Sequence, residues 1–264
     1  MAFSLRGKHA IVVGGTGTLG FRIATALAER GSVVTIMSRN AADERPALEP
    51  RLKPFEPLPY EEAFDGGRRP REHQFRRLDV QRVDIFKGLF PNLGPVDVLV
   101  NCIGISQAAA LKRTPEEEIQ RILNLNLRAT ILASKYAKLT NHGCILNVSS
   151  LMATKMGAGA TVYAASKAGV VEPADSVSSF AAFTRALALE YKSRSIRVNA
   201  LLPGWIQSPM WNELNEAARE TYLRQCPLGR LGTPDEVADA AMFLITNRFA
   251  NNCVLNLDGG LSAN

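Results

Sequence analysis

Six short apolar runs alternate along this chain with segments of helical spacing. Continuous apolar runs of five or six residues, separated by helices, are typical of a parallel sheet that helices cover on both faces. The pattern therefore predicts a doubly wound parallel α/β sheet, a Rossmann fold, in a single domain over residues 1–264. The predicted strands are His9 to Val13, Ser32 to Met37, Val96 to Val100, Cys144 to Val148, Ile196 to Ala200 and Cys253 to Leu257. The predicted helices are Leu19 to Arg30, Pro115 to Leu139, Thr161 to Tyr191 and Pro234 to Leu244.

Two segments interrupt this alternation. From Asn40 to His73 the chain holds six of its 14 prolines, which predicts a long surface loop, residues 40–73, without regular structure. The second segment, Glu172 to Ala181, places a proline and three serines inside the third helical pattern. Read as an insertion, residues 172–181, it predicts that the helix stops near Val171 and restarts near Ser178 or Ser179.

A glycine-rich turn follows the first predicted strand and precedes the first predicted helix. Glycines allow a backbone to approach a ligand closely, and a helix N-terminus presents free N–H groups to a phosphate. Strand, glycine turn and helix in this order favour dinucleotide binding over a plain tight turn. The residues expected at the pyrophosphate are Gly14, Thr16, Gly17, Thr18, Leu19 and Gly20.

Tyr163 and Lys167 are four residues apart in a predicted helix, so both side chains lie on one face. A nearby ammonium favours the phenolate and should lower the pKa of the tyrosine towards neutrality, which suits a proton donor. On its own the pair is a weak signal, and a partly exposed tyrosine beside a solvated lysine is the more common interpretation.

Composition excludes several functional classes. Apolar residues make up 46% and charged residues 21% of the chain, as in ordinary soluble globular proteins. No apolar stretch is long enough to span a membrane, and the three histidines lack metal-ligand spacing, so no metal site is expected. The net charge of +6 suits an anionic cofactor or carrier protein, but it indicates no nucleic-acid partner.

The four cysteines form no C-x-x-C pair and read as reduced thiols of a cytosol-like compartment. The first strand starts at His9, which leaves no room for a secretory signal before it. A cytoplasmic protein is therefore expected, with a mitochondrial address as the alternative.

Together these motifs resemble those of the short-chain dehydrogenase/reductase family over almost the full chain. Ser150 lies 13 residues before Tyr163, the spacing typical of the family's catalytic serine, and Ser149 is rejected on that spacing. The resemblance implies that Tyr163 is the general acid, that Ser150 stabilises the substrate oxygen and that Lys167 polarises Tyr163. Asn126 resembles the asparagine that holds a relay water, with Asn124 as the competing choice.

One motif departs from the family pattern. Single-domain reductases of the family usually carry T-G-x-x-x-G-x-G, and Thr18 replaces the middle glycine of that pattern. The spacing of Gly14, Gly17 and Gly20 resembles that of the family's larger, extended members.

The same resemblance extends to the cofactor contacts. At the end of the second strand, Ser38 and Arg39 stand where family members that use NAD carry an acid, so NADPH is expected and NAD is less favoured. The alternative for Arg39 is a solvated arginine at a strand end. The remaining expected contacts are Asp79, Val80, Asn101, Ile103, Gly104, Tyr163, Lys167, Pro203, Gly204, Ile206 and Ser208.

Within the family the likeness is to 3-oxoacyl-[acyl-carrier-protein] reductases and related carbonyl reductases, through Pro227-Leu228-Gly229-Arg230 and the Asp258-Gly259-Gly260 ending. This implies reduction of a 3-oxoacyl thioester on acyl-carrier protein in fatty-acid synthesis, with ketone or quinone reduction as the alternative. A homo-oligomer, tetramer or dimer, is expected from the resemblance. The 172–181 insertion raises a different alternative, a catalytically impaired cofactor-binding scaffold.

Overall fold

A computed structural model describes residues 3–57, 68–107, 109–155, 159–170, 183–212, 214 and 216–263. Seven strands form one parallel sheet in the order β3-β2-β1-β4-β5-β6-β7. The predicted doubly wound parallel sheet is thereby confirmed. The strands are β1 (His9–Val13), β2 (Val33–Ser38), β3 (Gln74–Arg77), β4 (Val96–Asn101), β5 (Leu139–Val148), β6 (Arg197–Pro203) and β7 (Val254–Leu257).

Helices cover both faces of this sheet, and each face has its own apolar core. The first helix contacts the last one on one face, while the fifth and seventh pack on the other. The α-helices are α1 (Thr18–Glu29), α2 (Ala41–Leu48), α3 (Val83–Leu89), α4 (Glu116–Leu123), α5 (Ala129–Tyr136), α6 (Thr161–Ala168), α7 (Phe183–Glu190), α8 (Pro209–Asn212), α9 (Glu216–Gln225) and α10 (Pro234–Thr246). Short 3-10 turns span Glu49–Arg51, Phe90–Asn92, Leu111–Arg113, Leu151–Ala153, Lys192–Arg194 and Leu261–Ala263.

The prediction of an irregular loop over residues 40–73 is wrong in its first part. Helix α2 occupies the first part, and β3 begins directly after the segment. Acidic residues in the first turn of α2 face its positive end, and the side chain of Arg45 pairs with Glu49 at 2.8 Å beyond its other end. These contacts and the burial of Leu48 stabilise the helix despite Pro46. Residues 58–67 lie outside the described part.

The helix over Pro115 to Leu139 is also revised. A π-helical segment, Asn124–Arg128, separates α4 from α5, and Leu139 is already the first residue of β5. A π turn inserts one extra residue into a helix and is frequent at functional sites. It therefore changes the face on which Asn126 projects.

The helix that carries Tyr163 and Lys167 ends earlier than predicted. Helix α6 stops at Ala168 rather than near Val171, and Gly169 takes the C-cap position against Leu127. Residues 171–182, with the 172–181 insertion and the predicted restart at Ser178 or Ser179, lie outside the described part. Helix α7 is described from Phe183 onwards.

A buried polar cluster surrounds Asp97 in β4. Its carboxylate accepts two hydrogen bonds from Arg69, at 2.9 and 3.0 Å, and one from the backbone N–H of His9 at 2.9 Å. The two ring nitrogens of His9 lie 2.8 Å from the Pro95 carbonyl and from the Thr35 hydroxyl. Burial lowers the pKa of His9 to about 4, although the Pro95 hydrogen bond acts in the opposite direction.

Because burial lowers the pKa of His9, we expect the protein to lose stability in mild acid. The unfolded chain protonates His9 below its ordinary pKa of 6.5, whereas the folded protein does not until about pH 4. The free energy of unfolding should therefore fall by about 2 kcal/mol between pH 7 and pH 5. Urea titrations at both pH values measure this difference. A His9→Gln variant should lose this part of the pH dependence, whereas exposed His142→Gln should keep it, and equal pH dependence in the two variants would contradict the assignment.

Candidate active site

The glycine turn between β1 and α1 has no space for side chains. Gly14 has a φ of 81°, and a Cβ there would lie 2.5 Å from the carbonyl oxygen of Cys102. A Cβ on Gly20 would overlap the carbonyl oxygen of Gly14. The turn therefore packs directly on the end of β4 and leaves its outer side open to a ligand, which fits the predicted dinucleotide cradle.

The N-terminus of α1 is available to an anion. Its N-cap is Gly17, which offers no side-chain hydrogen bond, and no acid occupies its first turn. Thr18, Leu19 and Gly20 are the first three helical residues, so their N–H groups carry the positive end of the helix dipole. This arrangement matches what a pyrophosphate requires.

The end of β2 lies beside this turn. The Thr16 hydroxyl donates a 3.0 Å hydrogen bond to the hydroxyl of Ser38, and the Ser38 carbonyl accepts from the N–H of Leu78. Arg39 is exposed, and within the described part of the chain no carboxylate pairs with it. With respect to the described residues, its guanidinium is accessible to an anionic ligand.

Asp79 and Val80 form the turn after β3. A carboxylate oxygen of Asp79 accepts from the backbone N–H of Gln81 at 3.1 Å, which is the ordinary turn role, while Val80 is buried. The other carboxylate oxygen of Asp79 remains available to a ligand.

Asn101 at the end of β4 points into the protein. Its amide nitrogen donates to the Ser134 hydroxyl at 3.1 Å and to the side-chain oxygen of Asn147 at 2.9 Å. Asn101 therefore joins β4 to β5 and α5. The backbone that follows, at Ile103 and Gly104, lies against α6 instead, since a Cβ on Gly104 would lie 2.9 Å from Lys167 Nζ.

Lys167 is almost fully buried, with 4% of its surface exposed. Its Nζ donates to the carbonyl oxygens of Ile103 at 3.1 Å and Val148 at 3.2 Å. Burial lowers the pKa of Lys167 to about 8. Two of the three N–H groups of the ammonium thus donate to these two carbonyl oxygens. Among the described residues, no acceptor is recorded for the third.

The Ser150 hydroxyl lies beside the Tyr163 phenol and acts to lower its pKa. The Ser150 oxygen also accepts from the backbone N–H of Met152 at 3.2 Å, which fixes its position after β5. Ser149 is turned away, because its hydroxyl donates to the Lys167 carbonyl at 2.8 Å. The structure therefore brings Ser150, rather than Ser149, to the phenol.

The predicted direction of the Tyr163 pKa shift is wrong. Burial raises the pKa of Tyr163, and the hydrogen bond from Ser150 opposes this rise only in part. The expected lowering assumed that the Lys167 ammonium acts on the phenol, whereas Lys167 is bound to the carbonyl oxygens of Ile103 and Val148 and burial of the phenol dominates. The phenol therefore keeps its proton at neutral pH.

Asn126 lies in the π segment with its side chain buried. The side-chain oxygen accepts from the N–H of Ile105 at 2.9 Å, and the amide nitrogen donates to the Ile105 carbonyl at 3.1 Å and the Ser166 hydroxyl at 2.9 Å. Asn124 instead accepts from exposed Arg128 at 3.3 Å. Of the two asparagines, Asn126 is the one next to α6.

The segment after β6 is held by the end of the chain. The N–H of Gly204 donates to the Leu257 carbonyl at 2.9 Å, and a Cβ on Gly204 would lie 2.8 Å from the Asp258 backbone. Ile206 forms a bridge with Gly232, and the Ser208 carbonyl accepts from the N–H of Trp211 at 3.1 Å. Pro203, as the last residue of β6, places this segment at the same edge of the sheet as Ser150.

One residue outside the predicted set of site residues contacts α6. The side-chain oxygen of Gln107 accepts from the backbone N–H groups of Val162 at 2.7 Å and Tyr163 at 3.3 Å. No local pattern in the sequence indicates this contact, because Gln107 and Val162 are 55 residues apart.

A cavity of about 350 Å³ lies away from the predicted catalytic side chains. Trp205, Tyr222, Leu223, Cys226 and Leu261 contribute to its walls, and Ile206 is the one predicted site residue that does so. It is therefore distinct from the space around Ser150, Tyr163 and Lys167.

Among the residues that the structure describes, no helix has the length and apolar character needed to cross a bilayer. The same part of the chain contains no group of three or more His, Cys, Asp or Glu side chains placed to bind a metal ion.

Comparisons with known proteins agree over nearly the whole chain. A family model described as enoyl-(acyl carrier protein) reductase matches residues 72–262. The 3-oxoacyl-[acyl-carrier-protein] reductase of Thermotoga maritima is 34% identical, covering 97% of this chain and 98% of its own. Carbonyl reductase family member 4 of Danio rerio is also 34% identical, over 96% of this chain and 98% of its own.

A solved structure has the same fold. A protein described as a short chain dehydrogenase/reductase family protein superimposes with a TM-score of 0.80 at 28% sequence identity, covering 99% of this chain and 100% of that one. A short-chain dehydrogenase/reductase from Serratia marcescens, 24% identical with a TM-score of 0.81 over 98% of this chain and 99% of that chain, shares the fold.

Proposed function

Because the chain belongs to the short-chain dehydrogenase/reductase family, we propose that it is an NADPH-dependent reductase of 3-oxoacyl thioesters carried on acyl-carrier protein. Members of the family are oxidoreductases that bind a nicotinamide cofactor and act on a carbonyl or hydroxyl group. The observation that carries the proposal is that Ser150 acts on the phenol of Tyr163, while Lys167 of the same helix as Tyr163 donates to the Ile103 carbonyl after β4, next to the glycine turn.

The proton transfer and the charge stabilisation in this reaction are carried out by different side chains. A bound nicotinamide supplies the hydride that goes to the carbonyl carbon. Tyr163, protonated at neutral pH because burial raises its pKa, donates its proton to the carbonyl oxygen as general acid. Ser150 donates a hydrogen bond to the same oxygen and stabilises the charge that develops there. Lys167 keeps its third N–H for the nicotinamide ribose, since its other two donate to the Ile103 and Val148 carbonyls.

We assign Asn126 to the support of this site. Its side-chain amide is fully used by Ile105 and Ser166, so it fixes the segment after β4 against α6. The proposed relay water would therefore bind to its backbone rather than to its amide.

Arg39 is proposed to select NADPH. An exposed guanidinium that pairs with no carboxylate among the described residues, beside Ser38 and the glycine turn, suits a 2′-phosphate on the adenosine ribose. Arg39→Ala should raise the KM for NADPH by about 10-fold to 100-fold, since a charge-assisted contact contributes about 1.5–3 kcal/mol, and should leave the KM for NADH unchanged. Steady-state kinetics with both cofactors measure this. Exposed Arg248→Ala serves as the control, and an Arg39→Ala variant with unchanged preference would contradict the assignment.

The substrate assignment rests on relatives and charge. Relatives in this identity range are named 3-oxoacyl-[acyl-carrier-protein] reductase, and a net charge of +6 suits an acidic carrier protein. Ketone or quinone reduction is the second candidate, since other relatives are named carbonyl reductase.

One assay separates these two candidates. NADPH oxidation is followed with acetoacetyl-acyl-carrier protein, a short acetoacetyl thioester, small ketones and quinones. We expect kcat/KM to be at least about tenfold higher for the carrier-bound thioester, which corresponds to about 1.4 kcal/mol of selective transition-state binding. Higher values for quinones or free ketones would favour the second candidate.

We also propose a homo-oligomer, a tetramer or dimer, in the cytoplasm or, as the alternative, in the mitochondrion. The oligomer follows from family membership, and the four free cysteines support a reducing compartment. Light scattering and cell fractionation test the two statements separately.

A further inference from the structure

The first turn of α6 lacks a cap from its own sequence. The N-cap residue is Ala160, which has no side-chain hydrogen bond to offer. The first N–H groups of a helix have no partner inside the helix and need an acceptor from elsewhere. Here the acceptor comes from the segment after β4, through the side-chain oxygen of Gln107.

The other half of the Gln107 amide is also fixed. Its nitrogen donates to the Ala109 carbonyl at 2.7 Å and to the Thr114 hydroxyl at 3.2 Å. The Thr114 hydroxyl in turn donates to the Ala109 carbonyl at 3.0 Å. Because both halves of the amide have partners, its oxygen is directed at α6 and cannot rotate away without the loss of these bonds.

Gln107 completes a series of contacts between the segment after β4 and α6. Lys167 donates to the Ile103 carbonyl, and Asn126 joins Ile105 to Ser166. Gln107 contacts the opposite end of the same helix, at Val162 and Tyr163. Both ends of α6 are thus set against one short segment, and Tyr163 lies in the first turn, where a helix most readily frays.

We propose that Gln107 is a positioning residue for Tyr163, which acts by capping the N-terminus of α6 from the segment after β4. This inference rests on the proposed carbonyl reduction. Without the cap, the first turn of α6 loosens and the phenol loses its fixed position relative to Ser150 and Lys167. A small misplacement of a catalytic group costs rate far more than it costs ground-state binding.

The test uses two variants of nearly equal size. Gln107→Met keeps the volume but removes both hydrogen-bonding halves, whereas Gln107→Glu retains an acceptor for Val162 and Tyr163. We expect Gln107→Met to lower kcat by about 10-fold to 100-fold with the KM for NADPH changed by less than about twofold. Gln107→Glu should recover most of that loss. Gln120→Met, at an exposed position of α4, is the matched control and should behave as wild type.

Amide hydrogen exchange of the intact protein gives a readout that is independent of activity. Exchange at Val162 and Tyr163 should be faster in Gln107→Met by about tenfold or more, and it should stay near wild type in Gln107→Glu and Gln120→Met. Wild-type kcat in Gln107→Met would overturn the inference, and so would a Gln107→Glu variant as slow as Gln107→Met. A wild-type protein that reduces no carbonyl would instead overturn the proposed function, while the exchange data would still decide whether Gln107 caps α6.

Discussion

Replacement of Tyr163 by phenylalanine should lower kcat for NADPH-dependent carbonyl reduction by about 10³-fold, since general acids contribute about 10²–10⁴ to rates of this kind. The substitution removes one oxygen, the phenol oxygen that lies beside Ser150 and carries the proton. The backbone of Tyr163 keeps its contact with Gln107, and Lys167 keeps its two carbonyl acceptors. The site should therefore hold its shape and bind NADPH as before.

Stopped-flow or steady-state NADPH oxidation measures the rate, and fluorescence titration measures NADPH affinity. Tyr136→Phe is the matched control, because Tyr136 lies on α5 away from Ser150 and Lys167. Reduction at more than a tenth of the wild-type rate by Tyr163→Phe would remove Tyr163 from the role of acid. Loss of NADPH affinity together with activity would point to a cofactor contact instead.

Gly20→Ala should weaken NADPH binding strongly. We expect a dissociation constant at least about 100-fold higher, which corresponds to about 2.7 kcal/mol of binding free energy. A Cβ at this position overlaps the backbone carbonyl of Gly14, and the carbon of that carbonyl lies 2.9 Å away. Backbone cannot rotate aside as a flexible side chain can, so α1 must move away from the turn. The N–H groups of its first turn then no longer meet the pyrophosphate.

The control for this variant is Gly88→Ala. Gly88 lies inside α3, and a Cβ there would touch nothing within 4 Å. This change should keep NADPH affinity and stabilise the protein by up to about 1 kcal/mol through helix propensity. Titration calorimetry and thermal unfolding of both variants measure these effects. NADPH affinity within about threefold of wild type in Gly20→Ala, a difference of under 1 kcal/mol, would show that the turn does not form the cradle.

The sequence predicted the sheet well because its central strands are buried on both faces. Such strands read as continuous apolar runs, and β1 matches its predicted bounds. The edge strand β3, with the sequence Gln-Phe-Arg-Arg, buries only Phe75, so it carries no comparable signal. Helix α2 was missed for a different reason, since the prolines of its segment outweighed the local features that stabilise it, an acidic first turn and the pair of Arg45 with Glu49.

In the candidate site too, local motifs in the sequence indicated some residues, while other features depend on tertiary contacts that the sequence does not reveal. Helical spacing indicated Tyr163 and Lys167, and the family resemblance indicated Ser150, which the structure places beside the Tyr163 phenol. The direction of the Tyr163 pKa shift depends on burial, which no motif encodes. Gln107 was missed because its partner lies 55 residues away.

The central claim is hydride transfer from a bound nicotinamide to a carbonyl carbon, with Tyr163 as the acid. NADPH deuterated at both C4 positions of the nicotinamide, with acetoacetyl-acyl-carrier protein as substrate, tests it most directly by mass spectrometry of the product. The predicted result is a 3-hydroxyacyl product with one deuterium on the carbon that bears the hydroxyl, formed by the wild type and not detectably by Tyr163→Phe. A product without deuterium, or equal labelling by Tyr163→Phe, would contradict the assignment.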